Sequence, residues 1–141
     1  MDPVREIRVE HLTEDTFVVG IRDHRVVVDQ PKDAGGDDLG PTPTELFVAS
    51  LGTCAGFYAE RYLRRHGLPD EGLCVRASFE MANDRPPRVA SVDLRVILPE
   101  AIPAERLPAL RRVIEACTVH NSIRMEPAIG IQVSMPAADA A

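Results

Sequence analysis

Residues 42–67 read TPTELFVASLGTCAGFYAERYLRRHG and decide the fold of this chain. Thr42 and Glu45 have the spacing of a capping box, with a proline between them at the first helical position. Gly67 is the residue type that commonly ends a helix. The sequence therefore predicts one long helix over residues 43–66.

The first half of this helix is apolar on almost every side, at Leu46, Phe47, Val48, Ala49, Leu51, Ala55 and Phe57. A helix that is apolar on all sides is buried on all sides. One chain of 141 residues is too small to wrap such a helix completely. We therefore expect an obligate homodimer, in which a second copy covers the other face.

Apolar periodicity predicts the remaining elements. Strands are predicted around residues 7–11, 17–21, 26–28, 75–81, 90–98 and 129–135, with a tight turn at Asp23–His24. Helices are predicted over residues 104–117 and, more briefly, 121–126. This order predicts a single α+β domain over residues 1–141, with a disordered tail at 136–141.

Residues 30–42 (QPKDAGGDDLGPT) connect the third strand to the long helix. Their two adjacent glycines, two prolines and four charges predict a long mobile loop. Loops of this length are uncommon in compact domains unless they have a function. An ordinary exposed connection and a loop that closes over a site both remain open.

The net charge of the chain is −6, which argues against a nucleic-acid partner. The charged start MDPVREIRVE lacks the apolar segment of a signal peptide. The longest uncharged stretch, residues 46–59, is too short to span a bilayer, so no membrane association is expected. We expect a cytoplasmic protein, where structural disulfides are rare and cysteines are candidates for redox chemistry.

Cys54 lies among small residues of the long helix, in SLGTCAG at residues 50–56. An unreactive cysteine there is a small core residue. A reactive one needs a nearby cation that favours the thiolate, because the helix N-terminus is too distant to do so. The candidate cations are Arg22, Arg25 and His120.

Cys117 ends the apolar stripe of the second predicted helix. A helix C-terminus disfavours a thiolate, so Cys117 is expected to be a resolving thiol or a core residue. Cys74 falls on the polar side of its strand and is interpreted as incidental. Cys117 and His120 have C-x-x-H spacing without a second close pair, so we expect no zinc site. His120 and Asn121 either orient the thiols or cap the short helix.

Glu45 is explained by the capping box alone. Nine residues at roughly 100° each put it about 180° from Cys54 on a straight helix. Glu45 reaches a thiol only if the start of the helix bends, or if that thiol belongs to the partner chain.

Three segments together resemble the OsmC/Ohr superfamily: residues 35–46 (GGDDLGPTPTEL), 50–54 (SLGTC) and 117–121 (CTVHN). The resemblance extends over residues 5–135. It implies an OsmC-like α+β fold with antiparallel sheets and two long cysteine-bearing helices. It also implies an intertwined homodimer with two active sites at the interface.

The resemblance further implies an activity, because members of the superfamily are similar to thiol peroxidases that reduce organic hydroperoxides. In that scheme Cys54 attacks the peroxide and becomes a sulfenic acid, and Cys117 resolves it to a disulfide. An arginine, matched here by Arg22, and a glutamate assist the thiolate. A dithiol reductant such as a lipoyl protein regenerates the thiols.

Three positions depart from the peroxidase pattern. Glu45 matches the wider superfamily, but the peroxidase glutamate comes one position earlier, where this chain has Thr44. Thr118 stands where a proline usually follows the second cysteine. His120–Asn121 resembles a less characterised OsmC-like branch.

The sequence thus predicts a cysteine-based peroxidase that acts on organic hydroperoxides without a metal or bound cofactor. Its candidate catalytic residues are Cys54, Cys117, Arg22 and Glu45. The alternative is a non-enzymatic dimer that binds a small apolar or thiol-containing ligand, or senses redox state, through the same cysteines.

Overall fold

The computed structural model of the chain describes residues 4–137 and has an α+β architecture with two antiparallel sheets and three helices. The elements are β1 (Arg8–Thr13), β2 (Thr16–Ile21), β3 (His24–Val28), α1 (Pro43–Arg65), β4 (Cys74–Met81), β5 (Val89–Ile97), α2 (Leu107–Glu115) and α3 (Thr118–Arg124). The disordered tail predicted at 136–141 falls largely on residues 138–141, which lie outside the described residues.

The first sheet is a meander in the order β1-β2-β3. Ile21 pairs with His24, so the tight turn between β2 and β3 consists of Arg22 and Asp23, one residue earlier than predicted. Arg22 has a φ of 52°, in the left-handed region that few residues with side chains adopt. The hairpin therefore holds Arg22 at its tip in a strained backbone conformation.

The segment that joins β3 to α1 is folded onto the first sheet, in place of the predicted mobile loop. Its anchor is the buried Asp29, whose carboxylate accepts hydrogen bonds from the Thr16 hydroxyl at 3.1 Å and the Gln30 N–H at 2.7 Å. The Leu39 N–H donates to the same carboxylate at 3.1 Å. The Asp29 N–H in turn donates to the Pro41 carbonyl at 3.1 Å. These bonds tie both ends of the segment together.

Helix α1 begins with the predicted capping box. The Glu45 N–H donates to the Thr42 hydroxyl at 3.1 Å, and the Thr42 N–H donates to the Glu45 carboxylate at 2.9 Å. One face of α1 is buried in its own chain, at Val48, Leu51, Gly52, Ala55, Ala59, Tyr62 and Leu63. Neither α1 nor another helix among residues 4–137 is long and apolar enough to cross a membrane.

The second sheet is the hairpin β4-β5, which packs with α2 against the buried face of α1. Its register places apolar residues opposite one another, as the alternation predicted: Val75 with Val96, Ala77 with Leu94, and Phe79 with Val92. The core between these elements centres on Ala59, Tyr62 and Leu110. This half of the chain includes α1, which carries Cys54, and the junction of α2 and α3, which carries Cys117.

The helix predicted over residues 104–117 is shorter and divided. A 3-10 turn, Ala104–Arg106, precedes α2, which has Pro108 in its first turn and ends at Glu115. Cys117 has extended backbone angles (φ −66°, ψ 150°) and opens α3 instead of closing α2. Among residues 4–137, α1 is the one long helix with 23 residues, whereas α2 has nine and α3 has seven.

The strand predicted over residues 129–135 is absent from the described chain, in which these residues pair with no other strand. Its alternating apolar side chains are almost fully exposed, from 81% at Ile129 to 90% at Val133. The alternation predicted a strand, but these residues form backbone pairs with neither sheet of the described chain.

A single chain leaves much more surface exposed than its mass predicts. It exposes 11585 Å², whereas a compact monomer of 15.5 kDa exposes roughly 7200 Å². The excess includes Val9 and Phe17, which share one face of the first sheet, and Phe47 and Phe57 on α1. The first sheet and α1 thus each have an apolar face that the rest of the chain does not cover.

Candidate functional site

Cys54 lies at the edge of the buried face of α1, one turn after the buried Leu51, and is partly exposed. The small residues near it have a packing role on the other side of the helix. A Cβ atom added at Gly52 or Gly56 would make ordinary van der Waals contact with Val75 of β4 at 3.5–3.9 Å, so this side of α1 packs on that strand. Cys54 is thereby carried by a helix that packs against the second sheet.

Cys117 is only 1% exposed and is the N-cap residue of α3. Its Sγ accepts a hydrogen bond from the backbone N–H of His120 at 3.4 Å. The sequence had placed Cys117 at a helix C-terminus, where a thiolate is disfavoured. That interpretation was wrong, because α2 stops two residues earlier and the sulfur occupies the position where a serine or aspartate oxygen often caps a helix.

The surroundings of Cys117 nevertheless favour its protonated form. Burial raises the pKa of the Cys117 thiol, and the adjacent Cys54 thiol raises it further. The N–H groups of His120 and Val119 lower the pKa, but by less. The net result is a pKa above that of an ordinary cysteine, so Cys117 stays a neutral thiol at neutral pH.

The fold brings the two predicted thiols together. Cys54 comes from α1 and Cys117 from the junction of α2 and α3, yet the Cys54 side chain lies close enough to raise the pKa of the Cys117 thiol. Both are free thiols in this structure. Two neighbouring thiols on separate elements are the groups that a reversible disulfide requires.

An apolar cavity of about 540 Å³ opens beside Cys117, between α1, β5 and α2. Its walls are mainly Leu51, Ala55, Leu94, Val96, Leu98, Leu107, Leu110 and Ile114, and its lining also includes Arg95, Arg111, Glu115, Cys117 and His120. A cavity with apolar walls and a few polar groups is the usual form of a small-molecule site. The imidazole of His120 also lines a smaller cavity, of about 270 Å³, on the Phe47 side.

Arg22 is not brought to the thiols within one chain. Among the described residues it makes no hydrogen bond or ion pair with Cys54 or Cys117, and it lines a separate polar cavity with Arg8, Glu10 and other residues of the first sheet. The first sheet has no extensive contact with the helices or the second sheet. Arg22 at its hairpin tip therefore points to no thiol of its own chain.

The other candidates have local partners. The Glu45 carboxylate accepts the Thr42 N–H in the capping box, on the side of α1 away from Cys54. Cys74 is exposed at the start of β4. The Asn121 amide donates to the Ala116 carbonyl at 3.0 Å and secures the start of α3. Within residues 4–137, no three His, Cys, Asp or Glu side chains are grouped to hold a metal.

The sequence profile of the family described as OsmC-like protein matches residues 35–132, which include both thiols. The chain belongs to the OsmC-like family. None of the curated proteins matches it in sequence.

Solved structures of other OsmC-like proteins have the same fold. A Psychrobacter arcticus protein, assigned to osmotic stress and detoxification response, has a TM-score of 0.78 at 18% identity and covers 86% of this chain and 90% of its own. An organic hydroperoxide resistance protein OsmC from Legionella pneumophila has a TM-score of 0.64 at 15% identity, and the match covers 87% of this chain and 92% of that protein. An organic hydroperoxide resistance protein from Elizabethkingia anophelis has a TM-score of 0.66 at 18% identity, and the match covers 89% of this chain and 93% of that protein. At these identities the likeness concerns the fold.

Two features of the structure were missed in the sequence, one at this OsmC-like site and one in the first sheet. The hydroxyls of Tyr58 and Thr118 are 2.9 Å apart and link α1 to α3. Tyr58 follows Cys54 by one helical turn and Thr118 follows Cys117 directly, so the spacing to each thiol was the available signal. Asp29 was missed as well, because only the folded segment shows its four partners.

Proposed function

We propose that this OsmC-like protein is a two-cysteine peroxidase that reduces organic hydroperoxides as a homodimer. The observation that carries the proposal is that Cys54 lies close enough to Cys117 to raise its pKa, although the two residues come from elements far apart in the chain. Cys54 is partly exposed and accessible to a peroxide, whereas Cys117 is buried and neutral. This asymmetry suits an attacking thiol and a resolving thiol.

In the first step the Cys54 thiolate attacks one oxygen of the hydroperoxide. An S–O bond forms as the O–O bond breaks, and the alkoxide that leaves takes up a proton to become an alcohol. Cys54 is oxidised to a sulfenic acid and the hydroperoxide is reduced.

In the second step Cys117 gives up its proton and attacks the sulfenic sulfur. The S–S bond forms, and hydroxide leaves and is protonated to water. A dithiol reductant, such as a lipoyl group on another cytoplasmic protein, then reduces the disulfide to two thiols and is itself oxidised to a disulfide. The protein is returned to its starting state.

The apolar cavity beside Cys117 supports an organic substrate. Its walls come from aliphatic side chains of α1, β5 and α2, and they match the alkyl or aryl part of a hydroperoxide better than hydrogen peroxide. The names of the Legionella and Elizabethkingia relatives, both organic hydroperoxide resistance proteins, agree with this substrate class.

Three features support the homodimer. The apolar face of the first sheet, the Phe47–Phe57 face of α1 and the unpaired residues 129–135 all lie uncovered in one chain. A second copy presents the same three surfaces, so the sheet of one chain can cover α1 of the other. That arrangement also gives the Arg22 hairpin tip a route to the partner's Cys54, where a guanidinium favours the thiolate.

The test is a count of free thiols after reduced protein is treated with one equivalent of cumene hydroperoxide. We expect the loss of two thiols per chain, with one equivalent of cumyl alcohol formed. Cys54→Ser should abolish the loss. Cys117→Ser should instead accumulate a sulfenic acid at Cys54, which a dimedone reagent traps. Cys74→Ser is the matched control and should behave as the wild type.

An unchanged thiol count would overturn the peroxidase proposal. Binding of an apolar fluorescent probe at the Cys117 cavity, without thiol loss, would then favour the non-enzymatic ligand-binding dimer. Oxidation that is equally fast in Cys54→Ser would assign the reaction to another cysteine and would also contradict the proposed roles.

A further inference from the structure

The hydroxyls of Tyr58 and Thr118 form the one side-chain hydrogen bond that joins α1 to α3 within the part of the chain the structure describes. Their oxygens are 2.9 Å apart, although the two residues are 60 positions apart in sequence. Either hydroxyl can be the donor, and the other accepts. The bond therefore holds two separately folded elements at a fixed spacing.

Each end of this bond lies next to one of the two thiols. Tyr58 follows Cys54 by four residues, so their side chains share one face of α1. Thr118 is the first residue of α3 and follows Cys117 directly. The Tyr58–Thr118 hydrogen bond thus spans the same gap between α1 and α3 as the two thiols.

The backbone around Cys117 has few other ties to α1. The Cys117 N–H donates to the Ile114 carbonyl at 3.1 Å, and Asn121 bonds back to Ala116. Both bonds hold α3 to α2 and neither reaches α1. A short helix of seven residues therefore depends on its packing against α1 and on the Tyr58–Thr118 bond for its position relative to α1.

We propose that Tyr58 is a positioning residue, whose hydroxyl holds Thr118 and thereby keeps the Cys117 sulfur within bonding range of Cys54. Disulfide geometry is narrow, with Cα atoms usually about 4.4–6.8 Å apart. A restraint on this spacing raises the effective concentration of one thiol at the other. The proposal rests on the proposed function only in requiring that the two thiols form a disulfide.

The test measures the Cys54–Cys117 disulfide at equilibrium in a glutathione redox buffer, without any peroxide. Tyr58→Phe and Thr118→Val remove one hydroxyl each and keep the shape of the side chain. Because one hydrogen bond is lost, we expect each variant to lower the equilibrium constant for the disulfide about 3- to 10-fold. Thr118→Ser keeps a hydroxyl and should have the same equilibrium constant for the disulfide as the wild type.

Two further variants separate positioning from general stability. Tyr62→Phe is the matched control, since the Tyr62 ring packs on His66 with centroids 4.3 Å apart, and it should leave the disulfide equilibrium unchanged. The double variant with Tyr58→Phe and Thr118→Val should equal either single variant, because both remove the same bond. In a Cys117→Ser background, Tyr58→Phe should not change the rate at which cumene hydroperoxide oxidises Cys54.

Equal disulfide equilibrium constants in wild type, Tyr58→Phe and Thr118→Val would overturn the positioning role and leave the peroxidase proposal standing. A lowered constant in both variants, together with no oxidation of wild type by peroxide, would support positioning and overturn the peroxidase. If glutathione disulfide fails to form the Cys54–Cys117 bond in wild type, the positioning proposal is overturned, and the peroxidase proposal is decided by the thiol count with cumene hydroperoxide.

Discussion

The Sγ atom of Cys117 accepts a hydrogen bond from the backbone N–H of His120 at 3.4 Å and so caps helix α3. This donor lowers the pKa of the thiol, but burial and the neighbouring Cys54 raise it by more. This balance suits the resolving role proposed for Cys117. A thiol that stays protonated until the sulfenic acid forms is protected from direct oxidation, because the thiolate is the reactive form.

The first prediction concerns the alkylation of Cys117 as a function of pH. Because its pKa is raised, the thiolate fraction of Cys117 should keep increasing above about pH 8.5, where an ordinary cysteine is already half ionised. Reduced protein is labelled with iodoacetamide from pH 7 to 10, and peptide mass spectrometry gives the rate at each cysteine. The exposed Cys74 serves as the internal reference. A Cys117 rate that reaches a plateau by pH 8 would contradict the raised pKa.

The second prediction concerns acid stability through Asp29. Burial raises the pKa of the Asp29 carboxyl, but hydrogen bonds from Gln30, Leu39, Thr16 and the Asp37 N–H outweigh burial and leave the pKa lowered. A pKa that is lower in the folded state gives stability that is present above the unfolded pKa of about 3.9 and is lost as the pH falls through the folded pKa.

Asp29→Asn should therefore lower the Tm at pH 7, because its amide cannot accept all of these donors. The difference from wild type should narrow as the pH falls below about 4, where wild type also loses its carboxylate. Thermal unfolding of wild type and Asp29→Asn, followed by circular dichroism between pH 3 and 7, measures the Tm difference and its dependence on pH. Asp93→Asn, at an exposed position of β5, is the matched control. A Tm difference that does not depend on pH would argue against the charged carboxylate as the cause.

Local signals in the sequence predicted the elements whose partners lie nearby in the chain. The Thr42–Glu45 capping box and the alternation in β4 and β5 are examples, because each depends on residues within a few positions or on one hairpin. Cys117 was misplaced because a sulfur cap has no common sequence signature, so the apolar stripe of α2 was extended through it. Residues 129–135 have the alternation of a strand, but alternation alone does not provide the neighbouring strand with which they would pair. The proximity of Cys54 and Cys117 was predictable only through the family resemblance.

The third prediction concerns two glycines in the segment between β3 and α1. A Cβ atom at Gly36 would collide with the Gln30 carbonyl, and one at Gly40 with the Val27 carbonyl. Backbone cannot move aside as a flexible side chain does, so each change to alanine should cost about 1–3 kcal/mol of unfolding free energy. Gly20→Ala is the control, since its nearest neighbour, the Arg8 carbonyl, would be at 3.9 Å. Urea unfolding gives the midpoint of each of the three variants. Equal midpoints would show that the segment accommodates a Cβ atom at both glycines without losing stability.

The fourth prediction concerns the exposed segment after α3. If Ile131 is buried against a second copy, Ile131→Asp should weaken the dimer by about 2–3 kcal/mol, since it removes a buried apolar side chain and inserts a charge. Gln132→Asp, one residue along and therefore on the opposite face of a strand, should have little effect. Sedimentation equilibrium gives the dimer Kd of each variant. Equal weakening by both changes, or by neither, would show that the segment does not pair as a strand with one buried face.

The fifth prediction concerns which chain supplies Arg22. Since the first sheet makes little contact with the rest of its own chain, Arg22 should act on the partner's Cys54. Arg22→Ala should lower the peroxidase rate on the order of 100-fold, a size typical for the loss of one charge-stabilising donor. Heterodimers with a different affinity tag on each chain tell the two arrangements apart. A heterodimer of an Arg22→Ala chain and a Cys54→Ser chain contains one complete site only if Arg22 crosses the interface, and it should show about half of the wild-type rate.

The reciprocal heterodimer makes this test decisive. It pairs a wild-type chain with a chain that carries both Arg22→Ala and Cys54→Ser. If Arg22 crosses the interface, the intact Cys54 faces an alanine and the heterodimer should be nearly inactive. If Arg22 serves its own chain, the wild-type chain keeps a complete site and half of the rate remains. Half activity in this second heterodimer, with none in the first, would therefore place Arg22 beside its own thiol and require the first sheet to fold back onto α1.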